Sequence, residues 1–204
     1  MTTPLKLFYA TGVCSLPVHI VLHELGKPFE VIRVDLRTKK LATGGDLADV
    51  TPKSYVPALE LADGSILTET AVILRYLADT NPEASLAPRH GGIDRVRFDE
   101  WLHFISTEFH KAFATFTIMD RPSEESKRWA AERLAKRVTL LADGLGARTY
   151  LFGDSFTVLD AYAFWALRMY QALTKAELPE TLRAYMTRLR DRPTVRSAFA
   201  AEAA

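Results

Sequence analysis

Cys14 is the only cysteine in the chain, and it follows Gly12-Val13 between a strand-like run and a helix-like one. Unpaired amides and the dipole at a helix start favour an anion, so a thiolate forms more readily there than at an ordinary site. A lone cysteine is more often buried and inert, and its position alone leaves both readings open. Position 17 is Pro, which excludes a Cys-x-x-Cys couple. In Ser54-Tyr55-Val56-Pro57 the proline falls just inside a strand and cannot donate to the ladder. A cis bond before Pro57 would present the Val56 backbone to something outside the sheet, although only about one X-Pro bond in twenty is cis. Glu69 and Thr70 stand where a strand gives way to a helix. There they offer an acceptor for an amine and a donor for a carboxylate, which suits an amino-acid zwitterion. Plain helix capping is the commoner use of the same residue types.

A second set lies further along. His103, Thr107 and His110 are spaced to fall in line on one side of a helix, with Lys111 at the edge of that face. His110 can donate to a sulfur or carry a proton near neutral pH; a solvated helix face is the alternative. His19 and His23 stand at i and i+4, a spacing that suits a metal, but no third ligand follows and the His-Glu-x-x-His order is absent. No metal site is expected, and packed or surface histidines fit better.

These residues need elements to position them. Lys6–Ala10 reads as a strand, Ser15–Leu25 as a helix with Pro17 in its first turn, and Gly26 as a left-handed stop. Phe29–Asp35 alternates as a second strand, so the opening is a right-handed βαβ unit. Residues 36–54 are looser, with Gly44-Gly45 breaking any single helix. Val56–Leu61 and Ser65–Leu67 form a hairpin about Asp63-Gly64, and a helix follows from Thr70 to Thr80. Asn81–Gly92 carries prolines and glycines and few apolar residues, which marks a linker. Beyond it Phe98, Trp101, Leu102, Ile105, Phe109, Ala112, Phe113 and Phe116 predict one long amphipathic helix. Further helices are predicted over 123–145, 157–175, 180–192 and 194–201, the second opening with Thr157 and Asp160 as a variant capping box. The domains expected are 1–81, a linker 82–92, and an all-helical 93–204.

Composition removes several function classes. Lys+Arg number 26 against 25 Asp+Glu, which leaves neither a basic field for nucleic acid nor an acidic tail. There is no glycine-rich phosphate loop and no Gly-x-Ser-x-Gly. No run approaches the roughly 20 apolar residues that span a bilayer, and the start, Met1-Thr2-Thr3-Pro4-Leu5-Lys6, lacks the pattern of a secretory signal. A cytoplasmic, reduced protein without a membrane or nucleic-acid partner is the expectation.

Taken in order, these segments resemble the glutathione transferases, specifically the bacterial beta class. The resemblance rests on Lys6-Leu7-Phe8-Tyr9 with Gly12-Val13-Cys14-Ser15-Leu16 and His19-Ile20, then Val34-Asp35-Leu36 with Lys39. It continues through Pro52-Lys53, Val56-Pro57-Ala58-Leu59, Leu67-Thr68-Glu69 and Tyr76-Leu77-Ala78-Asp79. In the second half it is carried by Glu100-Trp101-Leu102, Thr107-Glu108-Phe109-His110-Lys111, Phe152-Gly153, Phe156-Thr157 with Asp160-Ala161-Tyr162, and Arg192-Pro193.

The resemblance implies a thioredoxin-like domain followed by an all-helical one, a homodimer, and glutathione as co-substrate with no tightly bound cofactor. It places Cys14 beside the glutathione sulfur, Lys39 at the glycyl carboxylate, and Val56 before a cis Pro57 against the cysteinyl unit. Glu69 and Thr70 take the γ-glutamyl end, and His110 and Lys111 the far side. His103 falls where the class usually has asparagine, and Thr70 where serine or glycine is usual; His103 together with His110 would stabilise a thiolate. Thr107 belongs to the same face. Phe113, Phe116 and Tyr170 are the expected lining of an apolar electrophile pocket. The implied reaction is attack by the glutathione thiolate on a small apolar electrophile. Thiol-disulfide exchange or peroxide reduction through Cys14, and a ligand- or partner-binding protein on the same fold, are the other readings.

Overall fold

The computed structural model describes residues 4–203. The chain divides into two compact units, Met1–Ser85 with Arg192–Ala204, and Leu86–Asp191.

The first unit is built on a four-stranded sheet of order β2-β1-β3-β4. Strand β1 (Leu5–Tyr9) pairs parallel with β2 (Phe29–Arg33), Leu5 opposite Phe29 and Tyr9 opposite Arg33. Helix α1 (Leu16–Leu25) makes the crossover between them. Strand β3 (Ala58–Glu60) runs antiparallel to β1 and to β4 (Ile66–Thr68). Short α2 (Leu47–Val50) and then α3 (Thr70–Asp79) complete the thioredoxin-like arrangement.

Residues Leu7, Phe8 and Tyr9 are all buried, as a central strand covered on both faces requires. Phe8, Ala10, Val34, Val56 and Ala58 form a cluster closed by Leu47 of α2. Helix α1 buries Leu16, Val18, Ile20, Val21 and Leu22, each burial favourable by about 1.5–3 kcal/mol. It ends where Gly26 takes φ 61°, a left-handed cap that costs glycine little. The last helix, α9 (Pro193–Ala203), packs on α1 and buries Val195, Ala198 and Glu202.

The second unit is helical. In place of one regular helix over 98–116, α4 (Ile93–Phe104) passes into a π-helical stretch, Ile105–His110, and a 3₁₀ turn, Lys111–Phe113, before short α5 (Ala114–Thr117). Over so short a stretch the apolar residues recur three and four apart, as they would in a regular helix, so their spacing did not reveal the widened turn; such stretches often accompany functional sites. Helices α6 (Glu124–Leu145), α7 (Val158–Thr174) and α8 (Glu180–Arg190) follow. Most of α7 is buried, making it the core of this unit. Its N-terminus carries the capping box: Asp160 accepts from the Thr157 amide at 2.8 Å, the Leu151 amide at 2.9 Å and the Tyr185 hydroxyl at 2.7 Å. Those donors fix a carboxylate that lies fully inside the unit. No helix among the described residues is long and apolar enough to cross a membrane.

Candidate active site

In the first unit the site is a knot of short polar contacts around Cys14. The cysteine lies in the turn just before α1, half-buried, and its thiol donates to the Val56 carbonyl at 3.2 Å. The Ser15 hydroxyl closes the turn from within, donating to the Ala10 carbonyl at 3.0 Å and accepting from the Ala10 amide at 3.2 Å. From the other side the Thr70 hydroxyl donates to the Cys14 carbonyl at 3.0 Å. The Val56–Pro57 bond is cis, with both residues buried. The fold therefore brings Cys14, Val56, Pro57 and Thr70 together from the α1, β3 and α3 ends.

Glu69 adjoins them as the N-cap of α3, with φ 70° and ψ 114°. A positive φ is costly for a residue with a side chain and persists only where its surroundings impose it, often at a functional site. Its carboxylate accepts from the Tyr55 hydroxyl at 2.8 Å and from the Lys53 ammonium at 3.3 Å. The hydrogen bond to Glu69 holds the Tyr55 proton in place and pushes that phenol's pKa up. Lys39, half-buried and also at positive φ (62°), sits in the loop after β2. Its amide donates to the Asp35 carbonyl at 2.8 Å, and its carbonyl accepts from the Leu47 amide at 2.9 Å.

The loop ahead of Cys14 is held by a residue from the far end of the chain. The Glu202 carboxylate accepts the Gly12 amide at 2.7 Å and meets His19 Nδ1 at 3.3 Å, while the Glu202 carbonyl accepts from Thr11 at 3.2 Å. His19 and His23 stack with ring centroids 5.1 Å apart. Among the described residues no group of three or more His, Cys, Asp or Glu is arranged to hold a metal ion.

In the second unit, His110 ends the π-helical stretch and turns towards α7. Its Nδ1 lies 2.7 Å from the hydroxyl of the fully buried Tyr162, and its ring meets Trp165 edge-on at 4.6 Å. Phe113 packs on the same indole at 5.8 Å and is itself buried. His103 is exposed, with Nδ1 2.8 Å from the Asp99 carbonyl; the Thr107 hydroxyl donates to the His103 carbonyl at 3.0 Å. That carbonyl makes His103 Nδ1 the protonated nitrogen. Lys111 is exposed. Phe116 lines a cavity of about 450 Å³ with Leu173 and Arg128. Tyr170 is buried, and burial pushes its phenol pKa up.

Sequence reasoning missed Glu202, Tyr55, Tyr162 and Trp165. Each acts through a partner distant in sequence except Tyr55, whose place in Ser54-Tyr55-Val56-Pro57 was a usable signal.

Comparison with known proteins identifies the family. Residues 12–80 match the family described as glutathione S-transferase, N-terminal domain, and residues 104–193 the one described as glutathione S-transferase, C-terminal domain. Glutathione S-transferase GstA of Escherichia coli O157:H7 is 41% identical over 199 residues, covering 97% of this chain and 98% of that protein. A sphingomonad glutathione S-transferase solved with glutathione superposes with TM-score 0.91 at 39% identity, covering 97% of this chain and 98% of the other. The bacterial transferase BphK, solved as a ternary complex, gives TM-score 0.91 at 40% identity over 98% of this chain and all (100%) of the other. A structure from Sphingomonas chungbukensis described as bacterial beta class gives 0.89 at 38% identity, over 97% and 98% of the two chains. With both halves matched in order and a relative this similar over nearly its whole length, the chain belongs to the glutathione S-transferase family.

Proposed function

We propose that this protein joins the sulfur of glutathione to small apolar electrophiles, as a cytoplasmic homodimer engaged in detoxification or catabolism. The observation that carries the reading is the cluster of Cys14, Val56, cis Pro57 and Thr70, with Glu69 at its edge. Glutathione is an extended peptide with one amine and two carboxylates. Such a molecule needs a strand edge to pair with, which the Val56 backbone supplies. It needs an anion site at a helix start, which the amides at the head of α3 supply beside Thr70. Glu69 takes the amine and Lys39 the glycyl carboxylate. On this reading the glutathione sulfur lies at Cys14, where a helix start favours its thiolate.

In the reaction the thiol proton leaves to a base and the thiolate electron pair forms a carbon–sulfur bond. The electrophile either expels a leaving group with its bonding pair or takes up a proton after addition. The protein's contribution is to raise the thiolate fraction and hold it beside the electrophile. Of the titratable groups in the second unit, we assign His110, whose Nδ1 lies 2.7 Å from the Tyr162 hydroxyl, a part in proton handling, with His103, Thr107 and Lys111 on neighbouring turns. Of the apolar residues expected to meet the electrophile, Phe116 reaches a cavity in the second unit, while Phe113 and Tyr170 are buried in its core.

The test is glutathione conjugation to an activated aryl halide by the parent and by Cys14→Ala. Turnover proportional to protein concentration supports the reading. Conjugation that survives in Cys14→Ala makes the cysteine a neighbour of the sulfur rather than a required group. Disulfide exchange lost in that variant, without any conjugation in the parent, would replace the reading by a redox one. Tight glutathione binding with no turnover on any electrophile would leave a binding protein.

A further inference from the structure

His103 and His110 stand seven residues apart, a spacing that puts them in line on a regular helix. The π-helical stretch between them turns through fewer degrees per residue, and the two rings end in different surroundings. His103 is exposed, while His110 meets Tyr162 and Trp165 of α7. Each ring has one nitrogen committed by its neighbour. His103 Nδ1 lies 2.8 Å from the Asp99 carbonyl. A carbonyl can only accept, so in the neutral ring Nδ1 holds the proton and Nε2 carries the lone pair. His110 Nδ1 lies 2.7 Å from the Tyr162 hydroxyl, a group that can donate or accept. The phenol is the more acidic partner and the imidazole nitrogen the more basic one, so the hydroxyl donates and Nδ1 accepts. The separation is that of an O–H donor, since N–H donors centre at about 2.9–3.0 Å. The neutral His110 ring therefore holds its proton on Nε2, opposite to His103.

Packing holds this arrangement. Tyr162 is fully buried, and burial strengthens its hydrogen bond by excluding water. Trp165 meets the His110 ring edge-on at 4.6 Å and stacks on Tyr162 with centroids 5.8 Å apart. We propose that Tyr162 is a positioning residue that fixes His110 as a hydrogen-bond donor, and that His103, held the other way round by the Asp99 carbonyl, is the proton acceptor of the pair. The geometry belongs to the second unit alone; the chemistry rests on the glutathione reading. On that reading the thiol proton goes to His103 Nε2 and its electron pair stays on sulfur. His110 contributes an N–H donor and keeps its own proton. Once the carbon–sulfur bond has formed, His103 returns its proton to solvent after a substitution, or to the product after an addition.

Long-range proton–nitrogen NMR of the histidine rings tests the proposal at about pH 8.5, where an ordinary imidazole is neutral. Signals are assigned by their loss in His103→Asn and in His110→Gln. The expected spectrum of the parent shows His110 protonated on Nε2 and His103 protonated on Nδ1. In Tyr162→Phe the His110 nitrogens should move toward the averaged values of an exchanging ring, while those of His103 stay in place; circular dichroism checks the fold. Any other placement of either proton in the parent overturns the proposal, whether or not Tyr162→Phe folds. Unmoved His110 signals in folded Tyr162→Phe overturn the part given to Tyr162. Steady-state conjugation of glutathione to an activated aryl halide tests the chemistry. His103→Asn keeps a polar amide but has no basic nitrogen, so kcat should fall at least about threefold with the KM for glutathione within about twofold. An unchanged kcat overturns the role of His103 as acceptor. A parent that conjugates nothing defeats the glutathione reading instead, and the ring spectra still decide where each proton sits.

Discussion

Replacing Glu202 with Ala removes a side chain that ties the C-terminal helix to the loop carrying Cys14. The carboxylate lies fully inside the first unit and accepts two hydrogen bonds, from the Gly12 amide at 2.7 Å and with His19 Nδ1 at 3.3 Å. The substitution leaves the Gly12 amide without its acceptor and a buried imidazole without its anion. His19 Nε2 already has no partner, so the ring would keep no polar contact. Breaking a buried pair from one side costs about 3–5 kcal/mol, because the remaining group stays desolvated and unpaired. For a chain of this size each kcal/mol moves the melting temperature by roughly 2–4 °C, giving a fall of about 6–20 °C. Glu202→Gln keeps an oxygen for the Gly12 amide and should lose only about 1–2 kcal/mol. The assay is thermal melting by circular dichroism, with urea titration to check that the midpoint falls while its slope stays constant. A Glu202→Ala protein that melts within about 2 °C of the parent would refute the reasoning, since the network would then contribute nothing.

Three further predictions follow from particular contacts. Burial, with His19 stacked beside it, holds the His23 pKa below the usual imidazole range. The unfolded chain therefore takes up that proton first as pH falls. Stability should be level above about pH 6.5 and decline below it, until folded His23 itself titrates, and His23→Gln should flatten that slope in urea titrations across pH. In α6, a Cβ on Gly144 would stand 2.5 Å from Trp101 Cζ2. Gly144→Ala should therefore lose about 1–3 kcal/mol to overpacking and regain only about 1 from helix propensity, a net loss visible in the urea midpoint. Tyr55→Phe removes the hydroxyl that orients the Glu69 carboxylate. The KM for glutathione should rise about three- to tenfold with kcat within twofold, and an unchanged KM in steady-state kinetics would contradict the role given to Glu69.

Local signals explain which parts of this fold were legible in the sequence. Gly26 and Pro28 stop α1, alternation marks β2, Asp63-Gly64 turns the hairpin, and Thr157 with Asp160 starts α7, all within a few residues of the features they cause. The π-helical stretch was not legible, because Ile105 and Phe109 recur four apart in a regular helix as well as here. Glu202 was not legible either. In the run Ala200-Ala201-Glu202-Ala203 it reads as a solvated helix face, and the partners that bury it lie more than 180 residues away. Tyr162 likewise reads as core until the fold sets it against His110, 52 positions earlier. Candidate residues that lie next to an element boundary, such as Cys14 and Glu69, could be named from position. The residues that hold them could not.

Isothermal titration of the reduced, dialysed protein with glutathione tests the central claim most directly. The account predicts saturable binding at one site per chain, weakened by Glu69→Gln and by Lys39→Ala. No detectable heat, from protein shown to be folded by circular dichroism and free of adduct by mass, would contradict it.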